Sequence, residues 1–143
     1  MNQTAPIILC TLNAKYIHAS LGLRYLLANM GDLRAHTVLR EFTIARKPQE
    51  MAADLLALNP QVIGFGVYIW NVTQTCALVH VIKAQRPDIK IVLGGPEVSH
   101  ETERQEIVRL ADHVITGWGD VSFPKLCRAL LYGPQPLMKI IVG

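Results

Sequence analysis

Three short strings bring together residue types suited to holding a large, flat, partly apolar ligand. They are Asn13-Ala14-Lys15-Tyr16-Ile17-His18, Gly66-Val67-Tyr68-Ile69-Trp70-Asn71 and Gly94-Gly95-Pro96-Glu97. Adjacent glycines remove two β-carbons, which lets a backbone or a planar ligand come within van der Waals distance. Tyr68 and Trp70 offer broad apolar faces with polar tips, the kind of wall that a ring system packs against. A tight strand-to-helix turn would also use Gly94-Gly95, and buried aromatics need no ligand. The two signals together favour a site. A β-branched side chain at Gly95 is expected to occupy ligand volume with the fold intact, unless Gly95 holds a positive φ, in which case the fold suffers as well.

Other chemistries fit the residues less well. Cys10, Cys76 and Cys127 lie far apart and form no CxxC pair, so local spacing supplies neither a zinc site nor an iron–sulfur cluster, and all three are read as buried thiols. No GxGxxG follows the first apolar run and no GxxxxGK[ST] loop is present. A phosphoacceptor receiver would need carboxylates where Asn13 and Val67 stand, and His18, Ser20 and Ser99 have no triad spacing. No catalytic residue and no metal ligand is assigned.

The elements that must position these loops follow from periodicity. Five short apolar runs, Ile7 to Asn13, His36 to Phe42, Val62 to Val67, Ile89 to Gly94 and His113 to Thr116, alternate with segments of helical period. Met51, Leu55 and Leu58 fall on one helical stripe, as do Phe123, Leu126, Cys127, Leu130 and Leu131. Asn71 and Gln74 resemble a capping box opening a third helix, and Ser99 can cap a fourth. This is an α/β pattern: an open parallel five-stranded sheet with helices on both faces, whose ligands bind beyond the carboxyl ends of the strands. The three strings lie there.

With 143 residues, half of them apolar and 17% charged, the chain suits one domain with a core of its own. A net charge of +3 spread along the chain lacks the basic stripe of a nucleic-acid binder. No apolar run approaches the roughly 18–20 residues of a membrane span. The start has no cationic leader, so a cytoplasmic location with neither nucleic acid nor membrane as partner is expected. Gly133-Pro134-Gln135-Pro136 breaks the last helix. Residues 1–133 are therefore read as one domain and 134–143 as the start of a linker, although Leu137 to Val142 could form another strand.

Taken in order and spacing, Leu12 to His18, Gly64 to Asn71 and Val92 to Ser99 resemble the N-terminal cobalamin-binding domain of cobalamin-dependent radical S-adenosylmethionine proteins. The likeness spans roughly residues 7 to 132. It implies a flavodoxin-like sheet with the corrin across its C-terminal edge and the nucleotide tail beside the sheet. Gly94 and Gly95 would admit the tail, while Asn13 to His18 and Gly66 to Asn71 would bracket the ring, with Pro96, Glu97 and Gly117 alongside. Trp118 stands where the family's Gly-Glu-Gly-Glu element has its first glutamate.

In cobalamin domains of methyltransferases and mutases, an Asp-x-His-x-x-Gly motif supplies histidine to cobalt. Here Tyr16 precedes His18 by two positions, leaving the imidazole without an orienting carboxylate, so His18 is read as a pocket-wall residue. The resemblance further implies a radical SAM module in cis, holding S-adenosylmethionine and a 4Fe-4S cluster on a CxxxCxxC motif that this sequence does not contain. The chain is then a cofactor module and not a complete enzyme. The alternatives are a flavodoxin-like interaction domain without cofactor and a flavin-binding module.

Overall fold

The computed structural model describes residues 4–13, 21–68, 71–95, 106–117, 119, 121–136 and 138–142. In chain order the elements are β1 (Ile7–Asn13), α1 (Leu21–Ala28), a 3-10 turn (Gly31–His36), β2 (Thr37–Thr43), α2 (Pro48–Leu56), β3 (Val62–Gly66), α3 (Val72–Gln85), β4 (Lys90–Gly94), α4 (Glu106–Leu110), β5 (His113–Thr116), α5 (Ser122–Tyr132) and β6 (Ile140–Val142). The strands form one parallel sheet in the order β2-β1-β3-β4-β5-β6. Strand order reverses at β1, so the crevice beyond the ends of β1 and β3 is the topological switch point.

The sheet has six strands where five were expected. After α5 the chain turns back and Ile140–Val142 pairs with β5, the Val114 amide donating to the Lys139 carbonyl at 2.8 Å. Without it the outer edge of β5 would present unpaired backbone groups. Residues 140–142 of the segment read as a linker thus belong to the sheet. The short 3-10 turn, with buried Leu33, is a second feature that periodicity did not reveal.

Side chains of successive strand residues point to opposite faces, so each strand feeds two cores. Ile8, Cys10, Leu12, Ile63, Phe65, Ile91, Leu93 and Val114 pack against Met51 and Leu55 of α2, Leu78 and Ile82 of α3, and Ile107 of α4. Ile7, Leu9, Val62, Val92 and Ile115 face α1 and α5 through Leu23, Phe123, Leu126 and Leu130. At the amino-terminal edge Lys83 Nζ, at the end of α3, meets Asp112 Oδ2 at 2.6 Å and the Ile89 carbonyl at 2.8 Å, while Asp112 Oδ2 accepts from the Ile91 amide. Among the described residues no helix is long and apolar enough to cross a membrane.

Asn71 closes the opposite edge. Its side chain is fully buried and makes no helix cap, so the expected capping box does not form. Nδ2 donates to the carbonyls of Leu12 and Gly66 at 2.9 and 3.2 Å, and Oδ1 accepts from the Tyr68 amide at 2.8 Å. One amide therefore ties the ends of β1 and β3 to the loop leading into α3. Asn71→Ala leaves these groups unpaired in a dry place, and urea unfolding should show a loss of about 2–4 kcal/mol. In Asn71→Asp a carboxylate would face two carbonyl oxygens, which raises its pKa in the folded state. Such a group binds protons more tightly folded than unfolded, so the stability of this variant should fall as pH rises through and above the ordinary carboxylate range.

Candidate functional site

The alternation that builds the two cores also empties one of them toward the carboxyl edge. On the face toward α1 and α5, Leu9 pairs with Gly64 and Gly64 with Val92; one step further, Thr11 pairs with Gly66 and Gly66 with Gly94. Side chains shrink along each strand until a row of hydroxyl, glycine and glycine remains. Above this row lies a cleft of about 280 Å³ between α1 and α5. Seven of the chain's 10 glycines line it, namely Gly22, Gly64, Gly66, Gly94, Gly95, Gly117 and Gly119. Leu9, Leu23, Leu26, Val92, Ile115 and Phe123 supply apolar walls, and among the described residues no charged side chain lines it.

These glycines do different jobs. A Cβ on Gly64 would sit 2.8 Å from two ring carbons of Phe123, so the phenyl ring already fills that position and sets the floor of the cleft. Gly95 has φ +113, and a Cβ there would overlap the Val67 carbonyl oxygen. The Val67 amide donates to the Gly94 carbonyl at 2.7 Å, so the β3 and β4 loops are pressed together where Gly95 sits. The positive φ therefore makes Gly95 a requirement of the backbone, the second of the two outcomes anticipated for it. Gly94 differs: among the described residues a Cβ there meets only the Ile115 carbonyl, at 4.0 Å.

Tyr68 spans the mouth. A Cβ on Gly66 would lie 3.4 Å from the Tyr68 ring, and one on Gly22 would lie 3.7 Å from its hydroxyl. The ring thus folds back over β3 and reaches toward α1. Asn13 ends β1, where its Nδ2 donates to Glu41 at 3.4 Å and its carbonyl accepts from the Ile44 amide; Arg24 of α1 reaches the same carboxylate at 3.4 Å. Val67 is buried and Gly117 has φ +78 at the end of β5.

Of the residues expected to form the site, the structure brings Gly66, Tyr68, Gly94, Gly95 and Gly117 to one cleft. Asn13 and Val67 flank it, and Asn71 contributes through the loop it holds. Ala14, Lys15, Tyr16, Ile17, His18, Trp70, Pro96 and Glu97 lie outside the described residues, as does Ser99. Sequence reasoning missed Gly22, Gly64 and Thr11. The signal for Gly64 was Gly64-Phe65-Gly66, since glycines two apart in a strand empty the same face.

Two cysteines are unsuited to chemistry. Burial, then the nearby Glu41 carboxylate, pushes the Cys10 thiol far up, against the opposing charge of Arg40. Burial pushes Cys127 up to about 12, with Arg128 opposing. Cys76, expected to be buried as well, is only partly so and packs against the edge of the core.

A B12 binding domain family profile matches residues 7–127. The chain belongs to that family. Cobalamin is its ligand class, and the flavodoxin-like fold agrees with its structural neighbours. A cobalamin-binding protein from Desulfitobacterium hafniense superposes with a TM-score of 0.65 at 20% identity, covering 90% of this chain and 60% of that one. A CheY-like protein (tadZ) from Pseudomonas aeruginosa gives a TM-score of 0.58 at 19% identity, over 96% of this chain and 100% of that one. The cobalamin-dependent radical SAM methyltransferase TokK of Streptomyces tokunonensis is 29% identical over 82 residues, 54% of this chain. That span is 11% of TokK, so this B12-binding domain corresponds to a small part of that relative.

Gly94 and Gly95 separate ligand space from backbone need. Gly94→Val should keep its melting temperature within roughly 4 °C while losing cobalamin affinity at least tenfold, as measured by spectral titration. Gly95→Ala should lose about 2–4 kcal/mol of stability through positive φ and overlap with Val67, read by denaturant unfolding.

Proposed function

We propose that this domain receives the nucleotide tail of cobalamin in the glycine-lined cleft between α1 and α5 and holds the corrin over the loops that follow β1, β3 and β4. The observation that carries this reading is the row Thr11, Gly66 and Gly94, which leaves the sheet without side-chain bulk at the switch point. Among the described residues a Cβ at Gly22, Gly94 or Gly119 would meet nothing closer than ordinary contact, which leaves room there for a ligand. Its volume, below the roughly 300–1,000 Å³ of sites that enclose a drug-sized ligand, suits a tail and not a whole corrinoid.

Residues then take distinct parts. Phe123 limits the depth to which the tail enters, and Tyr68 walls the mouth where tail and ring would meet. Asn71 holds the β3 loop in place from behind, and the Arg24–Glu41–Asn13 contacts steady the end of β1. Asn13 to His18, Trp70, Pro96, Glu97 and Gly117 complete the bracket around the ring, with His18 as wall and not as cobalt ligand. Bound cobalamin would supply a cobalt that accepts and donates a methyl group or assists radical chemistry. The likeness to TokK supports placing the domain, residues 1–133, beside a radical SAM module in cis, in a cytoplasmic enzyme whose S-adenosylmethionine and 4Fe-4S cluster belong to that module.

The receiver-like neighbours share only the architecture, which hosts many functions. Phosphorylation of such a receiver would call for carboxylates at the ends of β1 and β3, and these strands end in Asn13 and Gly66.

The chain mixed with hydroxocobalamin and then desalted should keep the corrinoid absorption near one equivalent, and Tyr68→Ala should weaken binding roughly tenfold. Colourless protein at high micromolar concentration, or retention of flavin mononucleotide in its place, overturns the assignment. The reading frame beyond Gly143 tests the modular part separately: a CxxxCxxC motif supports it, and a frame without one refutes it.

A further inference from the structure

On the face of the sheet away from the cleft, among the described residues, one set of three metal-binding side chains converges. Cys76 and His80 stand one turn apart on α3, the i, i+4 spacing that places both on the same helical face. Glu106, the first residue of α4, approaches them from the neighbouring helix. Cys76 Sγ lies 3.7 Å from Glu106 Oε2, His80 Nε2 lies 3.4 Å from Glu106 Oε1, and the three donor atoms fall within 4.8 Å of one another.

We propose that Cys76, His80 and Glu106 form a divalent transition-metal site, suited to zinc, that clips α4 to α3. The donor set is a thiolate, an imidazole and a carboxylate, each an ordinary zinc ligand. Zinc bonds of about 2.3 Å to sulfur, 2.0–2.1 Å to nitrogen and 2.0–2.2 Å to oxygen, set at a tetrahedral angle, require sulfur–oxygen and nitrogen–oxygen edges of about 3.6 and 3.4 Å. The observed 3.7 and 3.4 Å are near those edges but run to the two different oxygens of Glu106, and the sulfur–nitrogen edge falls within 4.8 Å, so a turn of the carboxylate must bring one oxygen to the ion. Binding releases the thiol proton to solvent, and thiolate plus carboxylate then balance the charge of the ion. Cys76 packs partly against the core while His80 and Glu106 are exposed, which opens the site to solvent and leaves the fourth position to water. Val72, Ala77 and Ile107 form an apolar rim on the protein side. The described span of α4, Glu106–Leu110, is about one and a half turns, and the cross-link ties it to α3.

The test uses the reduced, cobalamin-free chain titrated with Co(II), which takes the same ligands and is visible spectroscopically, followed by Zn(II). One equivalent of Co(II) should give a thiolate-to-cobalt charge-transfer band and the strong visible bands of a four-coordinate ion, both bleached by Zn(II). Cys10 and Cys127 are buried, so the charge-transfer band belongs to Cys76 and should vanish in Cys76→Ser. Partners outside the direct ligand shell are already worth roughly 10- to 100-fold in affinity, so Glu106→Gln and His80→Gln should each weaken zinc binding by at least tenfold. Zinc should raise the melting temperature of the parent chain and not that of Cys76→Ser. Glu106 is exposed, so Glu106→Gln tests the site with the fold intact, as circular dichroism will show. Absence of the charge-transfer band at saturating Co(II), its persistence in Cys76→Ser, or unchanged zinc affinity in Glu106→Gln overturns the proposal.

Discussion

Everything in this domain depends on the two-residue period of strands buried on both faces. In a parallel sheet covered by helices each face must be filled, because an empty position forfeits dispersion contacts and apolar burial. The face toward α2, α3 and α4 obeys throughout, with Leu12, Phe65 and Leu93 carrying the core out toward the carboxyl edge. The opposite face stops obeying after Leu9 and Val92. Glycine in strands forgoes packing and loses more chain entropy on folding, so Gly66 and Gly94 weaken the sheet where they occur, while the Phe123 ring fills the place of the side chain that Gly64 lacks. Their confinement to one face and one edge is what turns a packing loss into a cleft.

The weakened edge is reinforced from behind. Asn71 gathers the ends of β1 and β3 and the following loop with three hydrogen bonds at the point where the sheet itself offers least. Gly95 lets the β4 loop close against Val67, and Glu41 joins β2 to Asn13 and to Arg24 of α1. At the other end of α3, Lys83 and Asp112 fix the starts of β4 and β5. α3 is therefore pinned at both ends, which makes it a firm base both for the loop before it and for the pair Cys76 and His80.

Much of this architecture is legible in the order of residues. β1 and β5 fall at the bounds that their apolar runs suggest, and β2, β3 and β4 differ by a residue at one or both ends. Apolar periodicity reports burial, and burial is what these elements share. β6 was ambiguous because an edge strand with an exposed outer side carries little of that signal; Val142 is 82% exposed. Asn71 looked like a helix cap because its chemistry is the same in both uses, and only the nearness of Leu12, 59 positions away, decides between them. Gly94 and Gly95 looked alike for a similar reason. What separates them is the backbone necessity at Gly95, which depends on where Val67 runs.

A fold shared with receiver-like proteins leaves the ligand undetermined, since strand order and helix placement are common to both. What distinguishes them is the chemistry at the carboxyl edge. Phosphotransfer concentrates charge at one point and calls for carboxylates at strand ends. A corrinoid with an extended tail calls for length, apolar walls and absent side chains. This sheet ends in Asn13, Gly66 and Gly94 and opens into a cleft that, among the described residues, has no charged lining, so its strand ends provide room where a phosphoacceptor would need charge. The packing of the sheet leaves a run of missing β-carbons on a single face, which is the room the proposed tail would need.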